Sequence, residues 1–285
     1  MTGWNQKATC FILLSALLFT TLLAGCGFAR TTALLPESTP AAEGTSFGEM
    51  RIKKNGEAAV DWSHAGEGYI LARRGVSGKK WKLRVTKDET YTYDLIGEGW
   101  TAVPVSEGDG KYVAAVYEQT EGTTYLPILM TDFNVELADP CSPFLRPNQQ
   151  VNYTTAPKTL AKAVELTAAC VSDGEKIEKI YSFVSGTLSY DEERAETVQS
   201  GYIPALDEVL EEEKGICLDF AALMTAMLRS QGVPCKLVVG DAGMAYHAWT
   251  EVWDATEGAW VRYDPTFTAS GTDTSNVEYA AKFYY

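Results

Sequence analysis

Histidine is nearly absent from this 285-residue chain, which has only His64 and His247. With so few imidazoles and no C-x-x-C pair, no zinc site or other cofactor is expected. Basic residues are also scarce: 24 Lys and Arg stand against 38 Asp and Glu, giving a formal net charge of −14. A surface of that sign cannot neutralise phosphates, so nucleic acid is excluded as a partner. The six cysteines follow no regular spacing and show no disulfide framework.

The most apolar run is N-terminal. Lys7 is followed by "CFILLSALLFTTLLA" (Cys10 to Ala24), which is shorter than a membrane-spanning helix and has the layout of an export signal. It ends in "LLAGC", which resembles the lipobox of bacterial lipoproteins. That resemblance implies a signal over residues 1–25, lipid on Cys26, and a mature protein tethered to the extracytoplasmic face of a bacterial membrane without spanning it. Residues 26–47 are small, polar and Pro-containing, as a tether would be.

Residues 48–140 alternate short aromatic and β-branched runs with Gly- or Asp-rich turns, for example "WKLRV", "TYTYDL", "WTAVPV" and "KYVAAVY". This pattern predicts an antiparallel, sandwich-like β-domain. After the proline-rich connector "DPCSPFLRPNQQ" the period changes, and residues 150–285 read as a second domain. Helices are predicted over 156–170, 173–188, 204–213 (with Pro204 at its start) and 217–228. In the second of these Ile177, Ile180, Tyr181, Val184 and Leu188 fall on one face. The last has only Asp219 and Thr225 as polar residues, which makes it a buried central helix closed by Gly232 and Pro234. Three strands follow, "CKLVVGD", "AYHAWTEVWD" and "AWVRYDPTF", the last two joined by the four-residue loop "ATEG".

Cys217 opens the central helix, where unpaired N–H groups and the macrodipole favour a thiolate. The one histidine that follows the connector is His247, so any Cys–His chemistry in this domain must use it. Counting back from the "ATEG" loop sets Trp249 opposite Asp264. Asp264 then lies diagonal to His247 on the same face, within reach to orient the ring. Each residue also has a structural reading: a core cysteine, a strand histidine, a turn aspartate.

"GICLDFAALMTAMLRSQGVP", "YHAWTEVWD" and "AWVRYDPTF", with "LSYD" upstream, resemble the transglutaminase-like superfamily over about residues 155–270. The resemblance implies an α+β fold with a papain-like core, in which a cysteine helix packs on an antiparallel sheet. It also implies a catalytic triad of Cys217, His247 and Asp264, and places Trp249 beneath the site. The expected activity is cysteine acyl transfer on peptide or side-chain amides through a thioester, with protein, peptide or cell-wall substrates and hydrolysis favoured. Amine transfer, and a catalytically silent scaffold, are the alternatives. No side-chain oxyanion donor can be assigned, and Tyr190 and Tyr202 are the conceivable helpers.

Overall fold

The computed structural model describes residues 51–285; the expectations for the export signal, Cys26 and the tether lie outside the described residues. The first part is all β. Strands β1 (Ile52–Lys54), β2 (Ala59–Asp61), β3 (Tyr69–Arg73) and β6 (Thr101–Pro104) form one antiparallel sheet in the order β1-β2-β3-β6. Strands β4 (Trp81–Thr86), β5 (Thr90–Asp94), β7 (Gly110–Gln119) and β8 (Tyr125–Val135) form a second in the order β5-β4-β7-β8. Alternation drives the packing. Trp81, Leu83 and Val85 turn inward from β4, where they meet Val60, Ile70 and Val103 of the other sheet in one core.

The second part mixes helices with a third sheet. Its elements are α1 (Pro157–Thr167), α2 (Asp173–Thr187), β9 (Ser189–Tyr190), α3 (Glu192–Thr197), α4 (Leu206–Glu212), β10 (Lys214–Gly215), α5 (Cys217–Ser230), β11 (Cys235–Ala242), β12 (Ala245–Asp254), β13 (Ala259–Tyr263), α6 (Pro265–Ala269) and β14 (Tyr279–Tyr284). The sheet is antiparallel in the order β13-β12-β11-β14. The fold is therefore α+β, with a cysteine-led helix on an antiparallel sheet.

Helix α5 is the axis of this part. Every residue from Asp219 to Ser230 is buried, because α1, α2, α4, α6, β11 and β12 all touch it. It ends in a Schellman motif: Val233 N–H donates to Leu228 C=O and Gly232 N–H to Arg229 C=O, both at 3.0 Å. Gly232 takes φ 77°, the left-handed conformation that such an ending requires. The buried face of α2 carries Ile177, Ile180 and Val184, as the sequence spacing predicts.

Arg229 locks the far end of α5. Its guanidinium is fully buried and donates to three backbone carbonyls, those of Cys235, Arg146 and Tyr285. Burial lowers its pKa to about 10. Cys170 and Cys235 are free thiols. Burial pushes Cys235 up to about 12, which leaves it inert.

Two local expectations are corrected. Pro204 does not begin a helix: α4 starts at Leu206 with Ala205 as its cap. The strand expected through "AWVRYDPTF" stops at Tyr263, and Pro265–Ala269 is the short helix α6. Pro265 has no N–H to give a ladder, but it suits the first position of a helix, and Asp264 caps that helix.

Candidate functional site

The site begins at the N-terminus of α5. Ile216 is the N-cap, with extended backbone, and Cys217 is the first helical residue. Asp219, three positions after the cap, reaches back so that its Oδ2 accepts Ile216 N–H at 2.9 Å, half of a capping box. Asp219 N–H and Phe220 N–H donate to Ile216 C=O. The Cys217 and Leu218 N–H groups are then the first-turn donors left without a helical acceptor.

Gly215 makes this turn possible. A Cβ there would lie 2.6 Å from Asp219 Cβ, so any side chain would push the buried carboxylate off its cap. Gly215 also pairs in parallel with Tyr190 through β10 and β9, which brings "LSYD" alongside the cysteine turn.

His247 comes from β12. The hairpin register is the expected one: Asp254 pairs with Ala259 and Thr250 with Tyr263 around "ATEG". Asp264 sits one residue beyond the ladder, yet its carboxylate reaches the ring, with His247 Nε2 and Asp264 Oδ2 2.8 Å apart. Both side chains are buried. Oδ1 of Asp264 accepts Phe267 N–H at 2.9 Å, so capping α6 holds the carboxylate in place.

The Asp264 contact occupies Nε2, which leaves Nδ1 as the ring atom available to the Cys217 sulfur. Burial disfavours the charged ring, but hydrogen bonds to Asp264 and Cys217 outweigh it and raise the His247 pKa to about 9. Cys217 and His247 both line a cleft of about 430 Å³, within the volume range of small-ligand sites. The structure thus brings all three sequence-selected residues together.

Further residues shape the site, and of these Phe267, Tyr279, Arg262 and Arg194 were not singled out by the sequence. Phe267 stacks on the His247 ring, with centroids 4.3 Å apart and planes 12° from parallel. Tyr279 donates its hydroxyl to the same Asp264 Oδ2 at 2.9 Å, under an Arg262 guanidinium 3.7 Å above its ring. Trp249 packs edge-on against Tyr279, with centroids 5.1 Å apart, so it lies beneath the Asp264 side of the site. Tyr202 donates to Asp219 Oδ1 at 2.8 Å, and Arg194 approaches Asp219 Oδ2 at 3.6 Å. Asp219 had a readable signal, its N3 position behind an apolar run. Tyr279 had none.

Tyr279→Phe tests the coupling through Asp264. The phenol competes with the imidazolium for one carboxylate oxygen, so its loss leaves that oxygen a stronger partner for His247. The expected result is a His247 titration moved to higher pH, with a stability loss of about 1 kcal/mol. A titration that stays put would make Tyr279 a packing residue only.

Residues 160–265 match the transglutaminase-like superfamily. An uncharacterized protein of Mycobacterium leprae is 37% identical over 121 residues, a match that spans 38% of this chain and 38% of that protein. Among solved structures, a candidate cysteine protease from Cytophaga hutchinsonii is 15% identical over 75% of this chain and 83% of its own, with a TM-score of 0.41. Red sea bream transglutaminase is 14% identical over 69% of this chain and 47% of its own, with a TM-score of 0.30. Residues 160–265, an α+β core led by a cysteine helix, are thus similar in sequence to the transglutaminase-like superfamily.

Proposed function

We propose that the protein is a cysteine acyl-transfer enzyme that cleaves peptide or side-chain amides through Cys217, His247 and Asp264. The observation that carries this reading is the convergence of three buried or half-buried groups: Cys217 and His247 line one cleft, and the Asp264 carboxylate holds the ring at Nε2. Asp264 fixes the tautomer and stabilises the charged ring. His247 takes the thiol proton, and the sulfur attacks the amide carbonyl, forming a C–S bond. The oxyanion faces the unpaired first-turn N–H groups of α5. When the tetrahedral intermediate collapses, the C–N bond breaks and His247 protonates the leaving amine, leaving a thioester. Water then attacks with His247 as base, releasing the acid and the free thiol. An amine in place of water would give transfer. Export and tethering through a lipid on Cys26 remain part of the proposal on the strength of the "LLAGC" stretch.

The test is the pH profile of alkylation by a peptidyl electrophile. The imidazolium partner persists to about pH 9, so the His247-dependent rate should hold through neutrality and fall as pH rises through about 9. His247→Ala should remove that plateau and leave a rate that only rises with pH, as for a thiol without a base. Superimposable profiles for the two proteins would refute the ion-pair chemistry. Supplying a fluorescent amine with a glutamine peptide then separates transfer from hydrolysis.

A further inference from the structure

The cleft differs chemically from the rest of the molecule. Asp, Glu, Lys and Arg make up 22% of the chain, yet none of them is among the described residues that line it. Its walls are the rings of Tyr190, Tyr202, Tyr246 and Tyr285 and the aliphatic side chains of Val198 and Leu218. Tyr190 is 37% exposed and Tyr246 66%, so both present ring surface to an incoming chain. Both rings line the same cleft as Cys217.

One wall is an added piece, not part of the sheet. Ala195, Val198, Gln199, Ser200, Gly201 and Tyr202 come from the end of α3 and the loop after it. Two ties hold this wall to α5, and both end on the buried Asp219: the Tyr202 hydroxyl and the Arg194 guanidinium. Arg194 also bonds Glu212 at 3.0 Å. The charges in these ties, Arg194, Asp219 and Glu212, are thus paired with one another. Glu192, Glu193 and Glu196 of α3 are exposed, so the helix that leads into this wall is acidic at its surface.

We infer that the cleft takes an acyl donor whose side chain next to the scissile amide is large and uncharged, aromatic or branched aliphatic. This rests on the acyl-transfer reading above. A charged side chain entering the cleft would lose its hydration with no Asp, Glu, Lys or Arg among the described lining residues to pair with it, and the His247 imidazolium is already committed to Asp264. An anionic one would also approach the exposed glutamates of α3. Tyrosine faces offer a planar apolar ring offset or edge-on contacts, and an aliphatic chain finds Val198 and Leu218.

The experiment measures labelling of the full-length chain by a series of dipeptidyl vinyl sulfones. These differ only in the side chain beside the electrophile: Phe, Leu, Ala, Asp or Lys. Phe and Leu probes should label Cys217 at least about tenfold faster than the Asp and Lys probes, the scale of discrimination an apolar pocket supplies. Val198→Lys sets a cation in the neutral wall at an exposed position and should shift the Asp-to-Phe rate ratio upward by about tenfold. Equal rates across the series, or a fastest Asp or Lys probe, would overturn the substrate class while leaving the Cys–His chemistry standing. Failure of every probe to label wild type faster than His247→Ala would instead sink the acyl-transfer reading itself.

Discussion

Cys217→Ala should abolish acyl transfer, with a loss of at least roughly 10⁴-fold, and leave the fold intact. The expectation follows from where the residue sits. Cys217 is the first residue of a helix whose cap is made by Ile216 and Asp219, so the side chain at 217 carries no capping role. Alanine is the best helix former, and the half-buried sulfur leaves little void, so stability should change by less than about 1 kcal/mol. His247→Ala should cost a comparable factor in rate, and the double variant should lose scarcely more than either single one, because the two groups act as one unit. Turnover retained by Cys217→Ala in a folded protein would end the nucleophile assignment. Losses that multiply in the double variant would show that Cys217 and His247 act independently.

Arg229→Ala should produce the largest loss of stability. The side chain joins the end of α5 to the start of β11, to the connector at Arg146 and to Tyr285 after β14, through carbonyl oxygens that have been taken from water. Truncation strips donors from three acceptors and opens a cavity the size of a guanidinium. The combined cost is roughly 3–5 kcal/mol, or about 10 °C in Tm for a fold of this size. Arg229→Lys keeps the charge but not the planar fork, so it should recover only part of the loss. Urea midpoints of the three proteins measure this directly. A wild-type midpoint in Arg229→Ala would mean that these carbonyls find other donors.

Much of this site was readable one residue at a time. The three- and four-step spacing of Ile177, Ile180 and Val184 located a buried helix face. The apolar length from Cys217 onward, ended by Gly232 and Pro234, located the central helix and put the cysteine on its first turn. The "ATEG" loop fixed the hairpin register, and the register alone carried Asp264 towards His247. Its manner of arrival was misread. The Asp-Pro pair ends the ladder and caps α6, so the carboxylate is aimed by a helix and not by the strand pleat. The rest was hidden for a physical reason. Tyr279 and Phe267 reach the site from elements after the hairpin, and neither has a sequence period that points to a distant carboxylate or imidazole. Helix α3 is too short and too charged to display an apolar stripe, so the wall tied by Arg194 left no trace in the pattern. Long-range side-chain meetings of this kind have no local code.

The link between the sandwich and β14 has a mechanical consequence. Tyr91 of β5 receives the backbone N–H of Tyr284 at 3.2 Å and meets the rings of Phe283 and Tyr285 edge-on. The same strand carries Tyr279 to Asp264, and Tyr285 lines the cleft. The sandwich is therefore a buttress in series with the reacting centre. Cutting it away would slacken the strand that steadies the carboxylate, so a truncated chain should lose the proposed acyl transfer even towards a small free peptide, whatever else the sandwich holds on to.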